Sequence, residues 1–139
     1  MTITHTTLHV STDGKGLYPF TERVEEWLAK QVAKNGLLTL LVQHTSCSLV
    51  VQENADPDAM LDLRDFFERL VPEDVRKYRH TAEGPDDMTS HIRSVLTQTS
   101  ISVPLISGRL ALGTWQGLYL FEHRARPRQR RVVLQLIAE

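Results

Sequence analysis

Residues 107–124 read SGRLALGTWQGLYLFEHR, and they combine a strand pattern with polar groups that a plain core strand lacks. Ser107-Gly108 is a turn signal, and the run from Trp115 to His123 has the apolar and aromatic content of a β-strand. Glycines within a strand pattern mark a bulge or the close approach of a ligand. We therefore expect β-structure that forms one wall of a polar pocket, with a bulge beside a core Trp115 as the structural alternative.

The length and composition describe one ordinary domain, residues 1–139. Hydrophobic residues make up 41% of the chain, enough for a core without covalent staples. The net charge of −1 provides no general attraction to nucleic acid. The single cysteine, Cys47, excludes an internal disulfide, and the sequence shows neither a signal peptide nor an apolar run of the roughly 20 residues that a membrane span needs. We expect a cytoplasmic protein without nucleic-acid or membrane partners.

Strand patterns continue on both sides of the opening segment. The apolar run LLTLLVQH at 37–44 is too short for a buried helix and predicts a buried strand. Pro104 indicates that its strand lies at a sheet edge or a bulge. The last two strands are expected to form a hairpin across residues 125–129. The predicted strands are residues 2–12, 37–44, 48–52, 100–106, 109–113, 115–123 and 131–138.

Three amphipathic helices separate the early strands. The first has Thr21 as its N-cap and Asn35-Gly36 as its stop signal, and the second begins at Asp56-Pro57. The third covers residues 88–97. Their predicted inward faces are Val24, Trp27, Leu28, Gln31 and Val32; Ala59, Leu63, Phe66 and Leu70; and Met88, Ile92, Val95 and Leu96. This order predicts an α+β fold, with a mainly antiparallel sheet packed by about three helices.

Four of the six histidines stand at positions suited to a site: His44, His80, His91 and His123. Asp87 and His91 are four residues apart, so they share a face of the third helix. Neighbours on a strand point to opposite sides, so we expect His123 in the pocket and Glu122 outside it. Three neutral imidazoles hold zinc with an open fourth position, although no HExxH motif is present. Acid–base chemistry without a metal is equally open.

Other candidates suit a flat or anionic ligand. Trp115 suits stacking on a ring, and Gln116 suits recognition of its polar edges. Arg109 and Arg124 are the candidate anion-binding groups, because the arginines nearer the hairpin tip are expected to be solvated. Cys47 has no evident base beside it, and we interpret it as a small buried side chain.

Several long motifs together resemble the YjbQ family, often labelled secondary thiamine-phosphate synthase. The resemblance begins at about Gly16 and reaches the end of the chain. Its motifs are LLVQHTSCSLVVQENADPD at 40–58, LVPED at 70–74, YRHTAEGPDDMTSHIRS at 78–94 and GRLALGTWQGLYLFEHR at 108–124. Thr89 departs from the family, which often has proline there, and the tip 125–129 lacks a common Gly-Gly. Arginine contacts at the tip are therefore not carried over.

The resemblance implies a small α+β fold, a homotrimer and a metal ion, which is reported for some members. It also implies a weak activity that joins hydroxymethylpyrimidine diphosphate to thiazole phosphate and releases pyrophosphate. A divalent metal, zinc or magnesium, together with arginines would stabilise the leaving group. With the residue analysis, it predicts catalytic His44, Glu53 and Asp87, substrate-binding Trp115, Gln116, Arg109 and Arg124, and metal ligands His80, His91 and His123. A non-catalytic trimer that binds a metal or a small ligand, and a purely structural trimer, are the alternatives.

Overall fold

Two antiparallel sheets share one apolar core in the computed structural model, which describes residues 1–139. The larger sheet has five strands in the order β1-β8-β3-β5-β6, and the smaller has three in the order β2-β7-β4. None of the helices has the length and apolar character needed to cross a bilayer. The elements are β1 Thr2–Thr12, β2 Gly16–Pro19, α1 Thr21–Ala29, β3 Gly36–Val42, β4 Cys47–Glu53, α2 Pro57–Leu70, α3 Asp87–Leu96, β5 Ser100–Ile106, β6 Arg109–Leu110, β7 Gln116–Glu122 and β8 Arg128–Ala138, with a short 3-10 helix at Val75–Lys77.

The core is built by strand alternation in both sheets. In the larger sheet, Leu38 and Leu40 of β3 pair with Leu136 and Leu134 of β8, and all four are buried. Leucines and valines of β4, β7 and α1 complete the same cluster. Burying each such side chain stabilises the fold by about 1.5–3 kcal/mol. The predicted α+β class with antiparallel sheets is confirmed.

The outer face of the larger sheet is not covered by any helix or strand of the chain. Its apolar row crosses four neighbouring strands, because Ile3 pairs with Ile137, Ile137 with Leu37, and Leu37 with Pro104. The buried strand predicted at 37–44 is present as β3, Gly36–Val42, but it is buried on one face only. Leu37 and Leu41 alternate outward and are exposed.

The helices begin close to the predicted residues, but the end of α1 and the buried faces of the helices differ from the prediction. Asp56 caps α2, since its carboxylate accepts a hydrogen bond from the Asp58 amide at 2.9 Å. Thr21 is not a cap; it lies within α1, and its hydroxyl accepts a hydrogen bond from the Leu118 amide at 2.8 Å. The helix α1 ends at Ala29, so Val32 lies beyond it and is exposed.

The helix α3 reverses the predicted pattern of burial. Val95 and Leu96, expected inside, are exposed, whereas its buried residues are all polar: Asp87, Thr89, Ser90, Arg93 and Ser94. Phe66 and Leu70 of α2 are likewise exposed. A helix that buries polar groups requires hydrogen-bond partners for them, because an unpaired buried polar group is costly. Such a helix is therefore a good place to look for a functional site.

The last two long strands do not form the predicted hairpin. Strand β7 pairs with β2 and β4, whereas β8 pairs with β1 and β3, so the chain changes sheets between residues 122 and 128. The segment 111–115 is a loop rather than part of a strand. Its turn is closed by the Gln116 amide, which donates to the Gly113 carbonyl at 3.0 Å. Trp115 is 65% exposed, so it is not a core residue either.

Candidate functional site

His80, Asp87 and His91 form a cluster whose potential ligand atoms all lie within 4.8 Å of one another. One carboxylate oxygen of Asp87, Oδ2, is 2.6 Å from His80 Nε2 and 3.0 Å from His91 Nε2. Asp87 is buried, His91 is half-buried and His80 is exposed. The i, i+4 spacing in α3 brings Asp87 and His91 together as predicted, while His80 arrives from the preceding loop.

Arg124 fixes the carboxylate of this cluster from the other side. Its Nη1 donates to Asp87 Oδ1 at 2.5 Å, and its Nε donates to Asp86 Oδ2 at 3.0 Å. Burial opposes ionisation of Asp87, but the His80 hydrogen bond and the charges of His91 and Arg124 outweigh it, so the pKa of Asp87 lies below its usual value. Arg124, predicted to bind substrate, is therefore engaged in positioning the cluster.

The loop before α3 is shaped by backbone contacts. Gly84 has a φ of 106°, a conformation that glycine adopts without a steric penalty. The Glu83 carbonyl accepts a hydrogen bond from Arg124 Nη2 at 2.9 Å, and Asp86 accepts one from the Ala125 amide at 2.9 Å. The EGPDD segment is thus attached to the end of β7, which sets the position of Asp87.

The tautomer of His91 follows from its second ring nitrogen. Nδ1 lies 2.8 Å from the Thr45 carbonyl oxygen, which only accepts, so Nδ1 carries a proton. In neutral His91 the lone pair of Nε2 then faces the Asp87 carboxylate, and two acceptors meet at 3.0 Å. Such a contact requires a cation between the two atoms, either a proton or a metal ion. An Nδ1–H bonded to a carbonyl is also the usual support for a metal-bound histidine.

His44 lies across a cavity of about 560 Å³ from this helix. The cavity is lined by His44, Thr45, His91, Ser94, Val95, Thr97 and Thr99. His44 Nε2 accepts a hydrogen bond from the Arg131 amide at 2.9 Å. Burial lowers the pKa of His44, and the nearby charges of Arg130 and Arg131 lower it further. The predicted pair His44 and His91 therefore share one pocket, with His44 held neutral.

Glu122 and Arg130 form a buried ion pair between the two sheets. Arg130 Nε donates to Glu122 Oε1 at 2.8 Å, and Nη2 donates to Oε2 at 2.5 Å. The Thr12 hydroxyl donates to Oε1 at 2.6 Å, and the His123 amide donates to Oε2 at 3.1 Å. Arg130 Nη2 also reaches the Ser46 hydroxyl at 2.9 Å. These hydrogen bonds compensate for the cost of burying both charges.

His123 is buried apart from the His80–Asp87–His91 cluster. Its Nε2 lies 2.8 Å from the Ser48 hydroxyl, while Nδ1 has no hydrogen-bond partner. Burial, reinforced by the charges of Arg93 and Arg130, lowers the pKa of His123 to about 3. The structure does not bring His123 to the other two predicted metal ligands. The expected separation by strand alternation is wrong, because Glu122 and His123 are both buried where β7 ends.

Three of the remaining predicted residues, Glu53, Trp115 and Gln116, lie at the far end of the smaller sheet. Cys47 pairs with Glu122 at one end of β4, whereas Glu53 pairs with Gln116 at the other. The two pairs are six residue steps apart along β4, or about 20 Å at about 3.3 Å per residue. Trp115 comes directly before Gln116 and lies at the same end. The expectation that the whole GTWQG…EH motif lines one wall of a single pocket is therefore wrong within one chain. Arg109 is exposed in β6, at the edge of the larger sheet.

Arg130 is the main site residue that the sequence analysis missed. Its place among the arginines near the predicted hairpin tip predicts a solvated side chain instead. The alternation in β8 carried a usable signal, because Arg130 shares the inward parity of Val132, Leu134 and Leu136. Asp86 and Ser48 had no comparable signal, since their partners Arg124 and His123 come from distant parts of the chain.

The fold and site define a class of small α+β proteins in which two antiparallel sheets support a histidine–aspartate cluster at the start of a helix. Residues 6–139 match the family model described as UPF0047 protein YjbQ-like. The chain is 52% identical over 132 residues to UPF0047 protein sll1880 of Synechocystis, covering 95% of this chain and 90% of that protein. It is 44% identical to YjbQ of Escherichia coli O157:H7, covering 96% of each. The chain belongs to the UPF0047/YjbQ family.

Solved structures agree with this assignment. A conserved hypothetical protein, TT1486 from Thermus thermophilus, superposes with a TM-score of 0.84 at 36% identity, covering 95% of this chain and 99% of that one. A YbjQ-like protein of unknown function from Sulfolobus solfataricus superposes with a TM-score of 0.90, covering 99% of each chain, and at 22% identity it supports the fold alone.

Proposed function

We propose that this protein binds a divalent metal ion through His80, Asp87 and His91, and that it uses the site to act on a small phosphorylated substrate. The carrying observation is the 3.0 Å contact between His91 Nε2 and the Asp87 carboxylate, in a histidine whose Nδ1 already donates to the Thr45 carbonyl. A metal ion between these atoms would remove the conflict between two acceptors. The position of Arg124 on the far oxygen of Asp87 leaves Oδ2 directed at both imidazoles.

The donor chemistry favours zinc over magnesium. Two imidazole nitrogens and one carboxylate oxygen suit zinc, whereas magnesium prefers oxygen ligands and keeps its waters. When bound, such an ion supplies positive charge that stabilises a departing phosphate or pyrophosphate. The surrounding residues then have separate tasks: Thr45 holds the ring of His91, Arg124 holds Asp87, and His44 faces the same cavity.

Metal analysis of the purified, untagged protein tests the site directly. We expect about one zinc per chain, and a loss of about tenfold or more in zinc affinity for His91→Ala, because one of three protein ligands is removed. His9→Ala is the matched control, since His9 is exposed on the outer face of β1. Circular dichroism establishes that both variants fold. Equal zinc content and affinity in His91→Ala and His9→Ala would contradict the proposed site.

Thiamine phosphate synthesis is the reaction that the family resemblance names. The assay supplies hydroxymethylpyrimidine diphosphate and thiazole phosphate to the zinc-loaded protein and measures thiamine phosphate and pyrophosphate. We expect slow formation of both products, lost in His91→Ala and retained in His9→Ala. Product formation that is the same with and without His91 would remove this residue from the reaction.

A second candidate function is binding without turnover. It is favoured by two of the histidines, because burial lowers the pKa of His44, which lines the cavity, and places that of the buried His123 at about 3. Neither ring is therefore suited to accept a proton near neutral pH. Saturable binding of metal and ligand by calorimetry, without product from either precursor, would identify this function. In both cases we propose that the protein assembles as a homotrimer.

A further inference from the structure

The proton of His44 has a defined position. The backbone amide of Arg131 donates to Nε2 at 2.9 Å, so this nitrogen must present its lone pair. A neutral imidazole carries one proton, which then lies on Nδ1. Burial of the ring, together with the charges of Arg130 and Arg131, lowers the pKa of His44 and disfavours a second proton. His44 is thus a fixed hydrogen-bond donor at Nδ1.

Arg130 presents a second donor at the same place. Its Nε and Nη2 groups are bound to Glu122 and Ser46, which leaves Nη1. The only contact of Nη1 within hydrogen-bonding distance is with His44 Nδ1, at 3.4 Å. Since both nitrogens carry hydrogen, this contact is not a hydrogen bond. Two N–H groups converge there without an acceptor from the chain.

We propose that His44 Nδ1–H and Arg130 Nη1–H form an oxyanion-binding subsite for a phosphate or carboxylate group of the ligand. An acceptor oxygen placed between the two nitrogens would satisfy both donors, and charge-assisted hydrogen bonds of this kind are the strong ones. His44 lines the cavity that also contains His91 and the hydroxyl-bearing residues Thr97 and Thr99. This inference rests on the proposed function in one respect, which is that the ligand occupies that cavity. The two donors themselves do not depend on a bound metal.

Glu122 gives this subsite its rigidity. The carboxylate holds the Nε–Nη2 edge of the Arg130 guanidinium in the protein interior, and the Ser46 hydroxyl accepts a further hydrogen bond from Nη2. Because the carboxylate also neutralises the arginine, the pair binds an anion by directed hydrogen bonds rather than by a large net charge. The geometry therefore favours a single oxygen of one tetrahedral or planar oxyanion. Arg130 acts here as a binding residue, and Arg131 positions His44 through its backbone.

Nitrogen-15 NMR of the full-length, metal-free protein, labelled at histidine, tests the assigned tautomer of His44 and its contact with phosphate. Two-bond proton–nitrogen correlations distinguish the tautomers of His44, and we expect Nδ1–H. Titration with inorganic phosphate should shift His44 Nδ1 saturably. Observation of the Nε2–H tautomer would overturn the proposal. Chemical shifts that do not saturate with phosphate would also overturn it, because they would mean that only water occupies the position.

Substitutions assign the binding to the two donors. His44→Phe keeps a ring but removes the N–H, and Arg130→Lys keeps the charge but removes the guanidinium fork. We expect each to raise the phosphate Kd by about tenfold or more, since a lost hydrogen bond to a charged group has an effect of this size. Arg131→Lys is the matched control, because its side chain is exposed and its amide is retained.

The outcomes separate the subsite from the metal site. The titrations use protein freed of metal, so absence of a metal site does not alter the expected result. Zinc content is measured on His44→Phe as well, and we expect it to match that of the unsubstituted protein. Unchanged phosphate affinity in His44→Phe would overturn the proposal, and this variant decides the question if Arg130→Lys does not fold.

Discussion

Cys47 is the only thiol of the chain, and it is fully buried at the start of β4. Burial raises its pKa to about 12, so at pH 8 only about one thiol in 10⁴ is ionised. We expect iodoacetamide to leave the native protein unmodified and to alkylate Cys47 rapidly in denaturing urea, as followed by mass spectrometry. Equal alkylation rates in both conditions would contradict the burial of the thiol.

Asp86 makes a pH-dependent contribution to stability. Burial opposes its ionisation, but hydrogen bonds from the Ala125 amide and the Arg124 side chain prevail, so its folded-state pKa lies below the usual 3.8. The stabilisation is therefore present above the unfolded-state pKa and is lost as the pH falls through the folded-state value. We expect Asp86→Asn to lower the free energy of unfolding by about 1.5–3 kcal/mol at neutral pH.

The same variant supplies its own control at acidic pH. The free energies of unfolding of wild type and Asp86→Asn, measured in urea, should show their full difference above about pH 5. They should converge well below pH 4, where Asp86 of the wild type is also uncharged. A stability difference that persists unchanged at low pH would show that the charge of Asp86 is not the cause. The exposed Asp65 makes a matched substitution, Asp65→Asn, which we expect to have little effect.

Local spacing predicted part of the site and tertiary contacts supplied the rest. Asp87 and His91 could be paired from sequence because helical periodicity is a short-range rule. The ion pair of Glu122 and Arg130 could not, since it depends on the chain changing sheets between β7 and β8. The placement of Trp115 away from the histidines likewise follows from strand register, which no local pattern specifies.

Among the elements, β3 depends on a glycine where it pairs with β8. A Cβ at Gly36 would lie 2.3 Å from the Ile137 carbonyl oxygen and 2.8 Å from the Ala138 Cα, and these backbone atoms cannot move independently of the sheet. We expect Gly36→Ala to reduce the free energy of unfolding by about 1–3 kcal/mol, measured by urea denaturation.

Gly113→Ala is the matched control for this element. The atom nearest to its added Cβ would be the flexible side-chain tip of Gln116, at 3.3 Å, which has room to adjust. We expect a smaller loss of stability than for Gly36→Ala. The reverse order would mean that the register of β3 and β8 differs from the one described.

Helix α3 shows why apolar periodicity alone assigned the wrong face. Its apolar residues Val95 and Leu96 are exposed near its end, and its inward face carries Ser90 and Ser94 instead. The Ser90 hydroxyl donates to the His123 carbonyl at 2.9 Å, and that of Ser94 donates to the Cys47 carbonyl at 3.2 Å. Hydrogen bonds to the ends of β4 and β7 replace apolar packing here. The start of α2 was predicted correctly because the Asp56-Pro57 signal is local, although Phe66 and Leu70 of its predicted inward face are exposed.

For the whole molecule, the uncovered face of the larger sheet bears on assembly. The apolar row of Ile3, Ile137 and Leu37 suits an interface, because large exposed apolar surfaces mark sites of association. We expect light scattering coupled to size exclusion to give three times the mass of one chain. Leu37→Glu should shift this mass toward the monomer by placing a charge in the interface.

Val32→Glu tests whether any new surface charge has this effect. Val32 is 96% exposed, and it lies beyond α1 rather than on the sheet. We expect its variant to keep the mass of the unsubstituted protein. A monomer in every variant and in the unsubstituted protein would contradict both the trimer and the role of this face.

The position of β8 has a consequence for how the protein is made. This strand comes last along the chain, yet it lies between β1 and β3, and it pairs with β1 from Thr2↔Ala138 to Thr12↔Arg128. Strand β1 therefore leaves the ribosome long before its partner is synthesised, and the larger sheet cannot be completed until residues 128–138 have followed. Pairing across such sequence separation is slow, and unpaired apolar strands are prone to aggregate. Ribosome-stalled chains that lack residues 128–138 should remain sensitive to protease until the final strand emerges.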